Sequence, residues 1–127
     1  MDRYDPETQP EPAAWLALDE QERIELAAQF HRRARIKLPN VTAHAVFHAV
    51  VESQVAEGLP SVTRAIERLV SQGLSRHEAI HAIGAALAEH LHEAMSAEVA
   101  DTPDVLQKRY DAAVERLSAK AWRADDG

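Results

Sequence analysis

His44-Ala45-Val46-Phe47-His48-Ala49-Val50-Val51-Glu52-Ser53-Gln54-Val55 is the stretch on which the fold turns. By composition, the β-branched pair Val50-Val51 favours a strand. By spacing, apolar or imidazole residues recur at 44, 47, 48, 51 and 55, which is the period of a helix and not the alternation of a strand. The helical period decides it. The segment starts near Asn40 or Thr42, runs to Glu57 and closes at Gly58, a residue that accepts the left-handed backbone of a helix end.

The flanking segments carry the same period with matching end signals. Upstream, Asp19 and Glu22 form a capping-box pattern. The helix they open places Ile24, Ala27, Ala28, His31 and Ala34 on one stripe and runs to about Lys37, ahead of Pro39. Downstream, Leu59-Pro60-Ser61 reads as a turn, with Ser61 capping a short helix through Val62, Ile66, Leu69 and Val70 that Gly73 stops. Ser75 with Glu78 is a second capping box, opening a helix through Ile80, Ile83, Leu87, Leu91 and Met95. Thr102-Pro103 marks a further start, N-cap then proline at the first helical position, for a helix carrying Leu106, Tyr110, Ala113, Val114 and Leu117. No segment alternates with period two over a convincing length. The expected fold is therefore all-α, one domain of about five helices in an antiparallel bundle, because short loops force neighbours to run antiparallel. Residues 1–13, with Pro6, Pro10 and Pro12 among acidic residues, read as a flexible arm. Trp15, Leu16 and Leu18 anchor it, the helical domain spans 14–122, and 123–127 reads as a frayed tail.

Composition narrows the function. In 127 residues there are 14 Lys+Arg against 21 Asp+Glu, a net charge of −7, and no cysteine. Without cysteine there is no disulfide framework, no thiolate metal site and no thiol chemistry, and a cytoplasmic location is expected. The acidic start Met1–Glu7 has no apolar run of the kind a secretory leader needs. Ala79–Ala88, the longest nearly apolar stretch, is interrupted by His81 and too short for a membrane span. An acidic chain is a poor partner for nucleic acid. The one basic cluster, Arg32-Arg33-Ala34-Arg35-Ile36-Lys37, complements a helix C-terminus instead. Twenty-four alanines and only six aromatic residues make a core that buries little area per residue, so a homodimer is expected to supply the remainder.

Against that plain background stand seven histidines. His44-x3-His48 and His77-x3-His81 each put two imidazoles one turn apart on a helix face, the spacing for bidentate capture of a cation. Glu52 extends the first stripe by one more turn. The segments echo each other, His-x-x-Phe-His-Ala-Val against His-x-x-Ile-His-Ala-Ile. Were the two helices to face one another, His44, His48, His77 and His81, with Glu52 as accessory, would make a metal site suited to Zn, Ni or Fe. Equally, such imidazoles serve as buried hydrogen-bonding groups with no metal. His31 lies on an apolar stripe and is a candidate neighbour. His90 and His92, two residues apart, face different directions, and at least one is a surface residue. Gly84, one turn from His81, costs about 1 kcal/mol against alanine within a helix, which a close helix crossing offsets.

Three resemblances attach to these residues. His77-Glu78-Ala79-Ile80-His81, followed by Gly84, resembles the zincin metalloprotease motif, which implies two zinc-binding histidines and a glutamate base. However, Leu87 stands where the extended motif has a third histidine, and Glu78 already serves the capping box. His48-x3-Glu52 with His77-x3-His81 is similar to hemerythrin-like bundles, which implies a di-iron centre that binds oxygen or senses redox state. No histidine follows His92 to complete one. Residues 40–93 most resemble a small bacterial all-α family catalogued as a domain of unknown function, which implies a bacterial cytoplasmic protein and no assigned catalytic residue. The resulting expectation is a helical protein, not demonstrably an enzyme, whose histidines bind a divalent transition metal. An interaction or dimerisation module with structural histidines is the first alternative, and a metallohydrolase or hemerythrin-like bundle the second.

Overall fold

A computed structural model describes residues 1–36 and 40–126, with side chains described through residue 124. Every regular element among the described residues is an α-helix: α1 (Pro12–Ala17), α2 (Glu20–Arg33), α3 (Val41–Ala56), α4 (Pro60–Ser71), α5 (Arg76–Ser96), α6 (Pro103–Glu115) and α7 (Ala119–Asp126). Among the described residues, no helix is long and apolar enough to cross a membrane. The five expected helices are α2 to α6, and two short ones join them. The chain divides into two compact units, 1–59 and 60–127.

The helix starts follow the capping residues. Both capping boxes form: Asp19 and Ser75 each accept the backbone N–H of the third helical residue, while Glu22 and Glu78 reach back to the cap N–H. Asn40 caps α3 and Thr102 caps α6, with Pro103 first in the helix. Ser61 is a correction. Pro60 already begins α4, and the Ser61 hydroxyl donates instead to Asp111 at 2.8 Å.

The helix ends use one device three times. Gly58 has φ 76° and Gly73 φ 105°. In each case the next residue's N–H returns to the carbonyl five positions back, Leu59 to Gln54 at 2.9 Å and Leu74 to Leu69 at 3.1 Å. The helix expected to reach Lys37 ends at Arg33 by the same motif. Arg35 takes φ 57° and Ile36 N–H donates to the His31 carbonyl at 3.1 Å. Lys37 and Pro39, on which the expected end rested, lie outside the described residues.

In the first unit α3 packs on α1 and α2. Its sequence is apolar nearly all round, so it is the helix the others cover. Tyr4, Trp15, Leu26, Ala27, Ala28, Ala45 and Ala49 form the core. Within residues 1–13, Tyr4 is 1% exposed and Pro6 is buried, while most of the others are exposed. The Tyr4 ring lies 5.5 Å from Trp15 and 6.4 Å from Phe30. Arg23 ties the entry down. Its guanidinium donates to the Trp15 carbonyl (3.1 Å), the Leu16 carbonyl (3.0 Å) and Ser53 Oγ (3.2 Å), while Trp15 Nε1 donates to the same hydroxyl at 3.1 Å.

In the second unit α4 packs on α5 and α6, and α5 packs on α6. Arg68 repeats what Arg23 does, donating to the carbonyls of Val114 (2.9 Å) and Leu117 (3.1 Å) that end α6. Residues 123–126, expected to fray, are the last turn of α7, whose start is held by Ser118 Oγ accepting from Ala121 N–H at 3.1 Å. Gly127 lies outside the described residues.

Removing the Arg23 fork takes a charged donor from the Trp15 and Leu16 carbonyls near the end of α1. Arg23→Met, which keeps the aliphatic stem, is expected to lower unfolding stability by about 2 kcal/mol, the usual scale for charge-assisted hydrogen bonds at a partly buried site. Urea denaturation checks this, and an unchanged midpoint would show that water replaces the fork without loss.

Candidate metal centre

The first unit gathers three imidazoles. α2 delivers His31 in its last turn, where the stripe of Ala27 and Ala28 has already carried that face into the core. α3 delivers His44 and His48 one turn apart. The His31 ring centroid lies 4.6 Å from that of His44 and 5.1 Å from that of His48, both edge-on, and the His44 and His48 centroids are 6.0 Å apart. His31 and His48 are buried and His44 half-buried.

Hydrogen bonding sets the state of His31. Its Nδ1 lies 2.7 Å from the Ala27 carbonyl oxygen. A carbonyl only accepts, so Nδ1 carries the proton and Nε2 carries the lone pair. Burial pushes the His31 pKa below the ordinary histidine value of 6.5, because desolvation penalises the imidazolium more than the Ala27 carbonyl favours it. The ring is therefore held neutral, the form that binds a metal ion.

Beyond His48 on α3, Glu52 is 1% exposed. Its carboxylate receives the Tyr4 hydroxyl, and the same phenol oxygen lies 2.9 Å from His48 Nδ1. Tyr4 escaped the sequence reading altogether. The available signal was its type: a tyrosine drawn into a core brings a hydroxyl that needs a polar partner.

In the second unit His77 and His81 are half-buried on the first turns of α5, with ring centroids 4.1 Å apart. The expected pairing on one face is thus met. Glu78 is exposed, and its carboxylate faces the Ser75 N–H of the capping box. Together with the absence of any strand among the described residues, this departs from the zincin arrangement, in which that glutamate serves the metal and a strand holds the substrate. His90 is half-buried with its centroid 5.6 Å from that of Tyr110, and His92 is exposed.

The first unit thus brings together the imidazoles of His31, His44 and His48, and the second unit pairs His77 with His81, donor groups of the kind that hold a metal ion. His31, a candidate neighbour by sequence, packs its ring against that of His44, and Glu52 turns its carboxylate to Tyr4. No family model, curated protein or solved structure matches this chain.

The lowered pKa of His31 has a signed consequence. The unfolded chain takes up its proton near pH 6.5 while the native ring resists, so below that pH the unfolded state binds more protons and stability falls. The loss levels off once the pH drops under the native pKa. In metal-stripped protein the urea midpoint is expected to fall between pH 7.5 and 5.5, and to fall less in His31→Gln, where the faces of His44 and His48 meet a group that does not titrate. Equal slopes for the two proteins would locate the acid sensitivity elsewhere.

Proposed function

We propose that this helical protein binds a divalent transition metal ion through its clustered histidines, His31 and His48 in the first unit and the pair His77 and His81 in the second, with His44 and Glu52 beside His48 on α3. The packing of the His31, His44 and His48 rings, with centroids 4.6 to 6.0 Å apart, carries the reading. The Nδ1–H of His31 on a backbone carbonyl supports it further, since metal-binding histidines characteristically donate their second ring nitrogen in this way. An all-imidazole donor set suits Zn, Ni or Fe over Ca or Mg.

Elemental analysis tests this directly. Protein purified without an affinity tag is expected to retain transition metal when loaded and dialysed, and His48→Ala/His81→Ala, which breaks the cluster in each unit, close to none. Equal and negligible metal in both would leave the histidines as core hydrogen-bonding groups.

A homodimer is the second part of the proposal, favoured by one observation. Toward the end of α5, Leu91 and Met95 lie one turn apart, with Val99 beyond, and Met95 and Val99 are 85% and 81% exposed. Exposed apolar residues in a row are characteristic of interaction surfaces. Sedimentation at tens of micromolar is expected to report a dimer that Met95→Glu shifts toward monomer. A wild-type monomer at that concentration would remove this part of the reading.

A further inference from the structure

Tyr4 stands at the end of the chain of groups that leads to His48, and its chemistry sets the state of that ligand. The phenol has a single hydrogen, and it goes to the Glu52 carboxylate. Toward His48 Nδ1, 2.9 Å away, the same oxygen can then only accept. His48 must therefore carry its proton on Nδ1, which puts the lone pair on Nε2. We infer that Tyr4 is a positioning residue for the metal centre: it fixes His48 in the ligating tautomer and passes the charge of Glu52 to the ring through two hydrogen bonds. This inference rests on the metal reading above.

The arrangement makes the two buried ligands of the first unit unequal. His31 reaches the same tautomer, but its Nδ1–H goes to the neutral carbonyl of Ala27. His48 donates into a carboxylate-terminated chain, which raises the basicity of the opposite nitrogen. His48 is then the stronger donor of the pair. The chain also explains why a glutamate occupies a fully buried position on α3. Its carboxylate accepts the hydrogen bond of the Tyr4 hydroxyl, and its role is exercised at a distance through the phenol. The N-terminal segment becomes part of the centre, since it carries the phenol between two residues of α3.

Tyr4→Phe isolates this role, because the ring still packs on Trp15 and Phe30. In metal-stripped, full-length protein, 15N NMR of the imidazole nitrogens is expected to show His48 as the Nδ1–H form in the wild type and a shift toward the Nε2–H form in Tyr4→Phe. His31, held by Ala27, is expected to stay unchanged in both, which reports an intact fold. Zinc affinity from competition with a chelator is expected to fall ten- to a hundredfold in Tyr4→Phe, the usual cost of losing an outer partner. Glu52→Gln, which keeps the volume and removes the charge, is expected to fall in the same direction. An unchanged His48 tautomer, or zinc affinity equal to wild type in Tyr4→Phe, would overturn the inference. Should the wild type itself take up no zinc, the metal reading falls, and the tautomer shift alone upholds or rejects Tyr4 as the group that positions His48.

Discussion

A ring N–H or hydroxyl taken out of water must find an acceptor, and the first unit is arranged around that requirement. Its core is made largely of alanine, with Trp15, Tyr4 and Phe30 supplying the bulk. Such a core buries modest apolar area, so the polar atoms it encloses cannot be left unsatisfied without spending much of the margin. The solution is local. His31 donates one turn back to Ala27, Ser53 donates one turn back to Ala49, and Trp15 and Arg23 both converge on Ser53. Tyr4 closes the set by joining Glu52 to His48. Small side chains make this possible, because alanines along α2 and α3 leave room for imidazole and phenol rings to lie edge to edge.

The helix ends obey the same rule with backbone groups. Three helices close on a left-handed residue whose successor bonds back to the final turn, and two arginines, Arg23 and Arg68, collect carbonyls at the ends of neighbouring helices. Arg35 is the exception among the three. It adopts φ 57° with a side chain present, at a cost of roughly 1–2 kcal/mol that glycine would avoid. The bond from Ile36 to the His31 carbonyl fixes the backbone of the residue whose side chain enters the histidine cluster, so the strained turn and the site share a residue.

The helical period across residues 44–55, the two capping boxes and the Thr102-Pro103 start were legible because each is a short-range pattern with a local physical cause. The His-x3-His pairs were legible for the same reason. α1 and α7 were not. A helix of six or eight residues is too short to display a period, and each exists through contacts that sequence order conceals: Trp15 with Ser53, and Ala119 N–H with Gln72. Ser61 misled because a serine beside a proline fits a cap, while its hydroxyl meets Asp111, fifty residues away.

The arm shows most clearly where local reading stops. Three prolines among acidic residues read as a flexible arm, but such a composition does not exclude the burial of Tyr4 and Pro6 within it. One aromatic within it, Tyr4, is drawn into the core, and its hydroxyl meets Glu52 and His48 at once. Nothing within the first thirteen residues encodes that fit. It depends on α3 presenting a carboxylate and an imidazole one turn apart, with a gap between them that a phenol oxygen can fill. The same i, i+4 spacing that reads as a metal-ligand stripe, His48 to Glu52, is here the cradle for a third group. Spacing alone therefore specifies that two side chains share a face, while the identity of what they grip is settled by whichever segment can supply the complementary hydrogen.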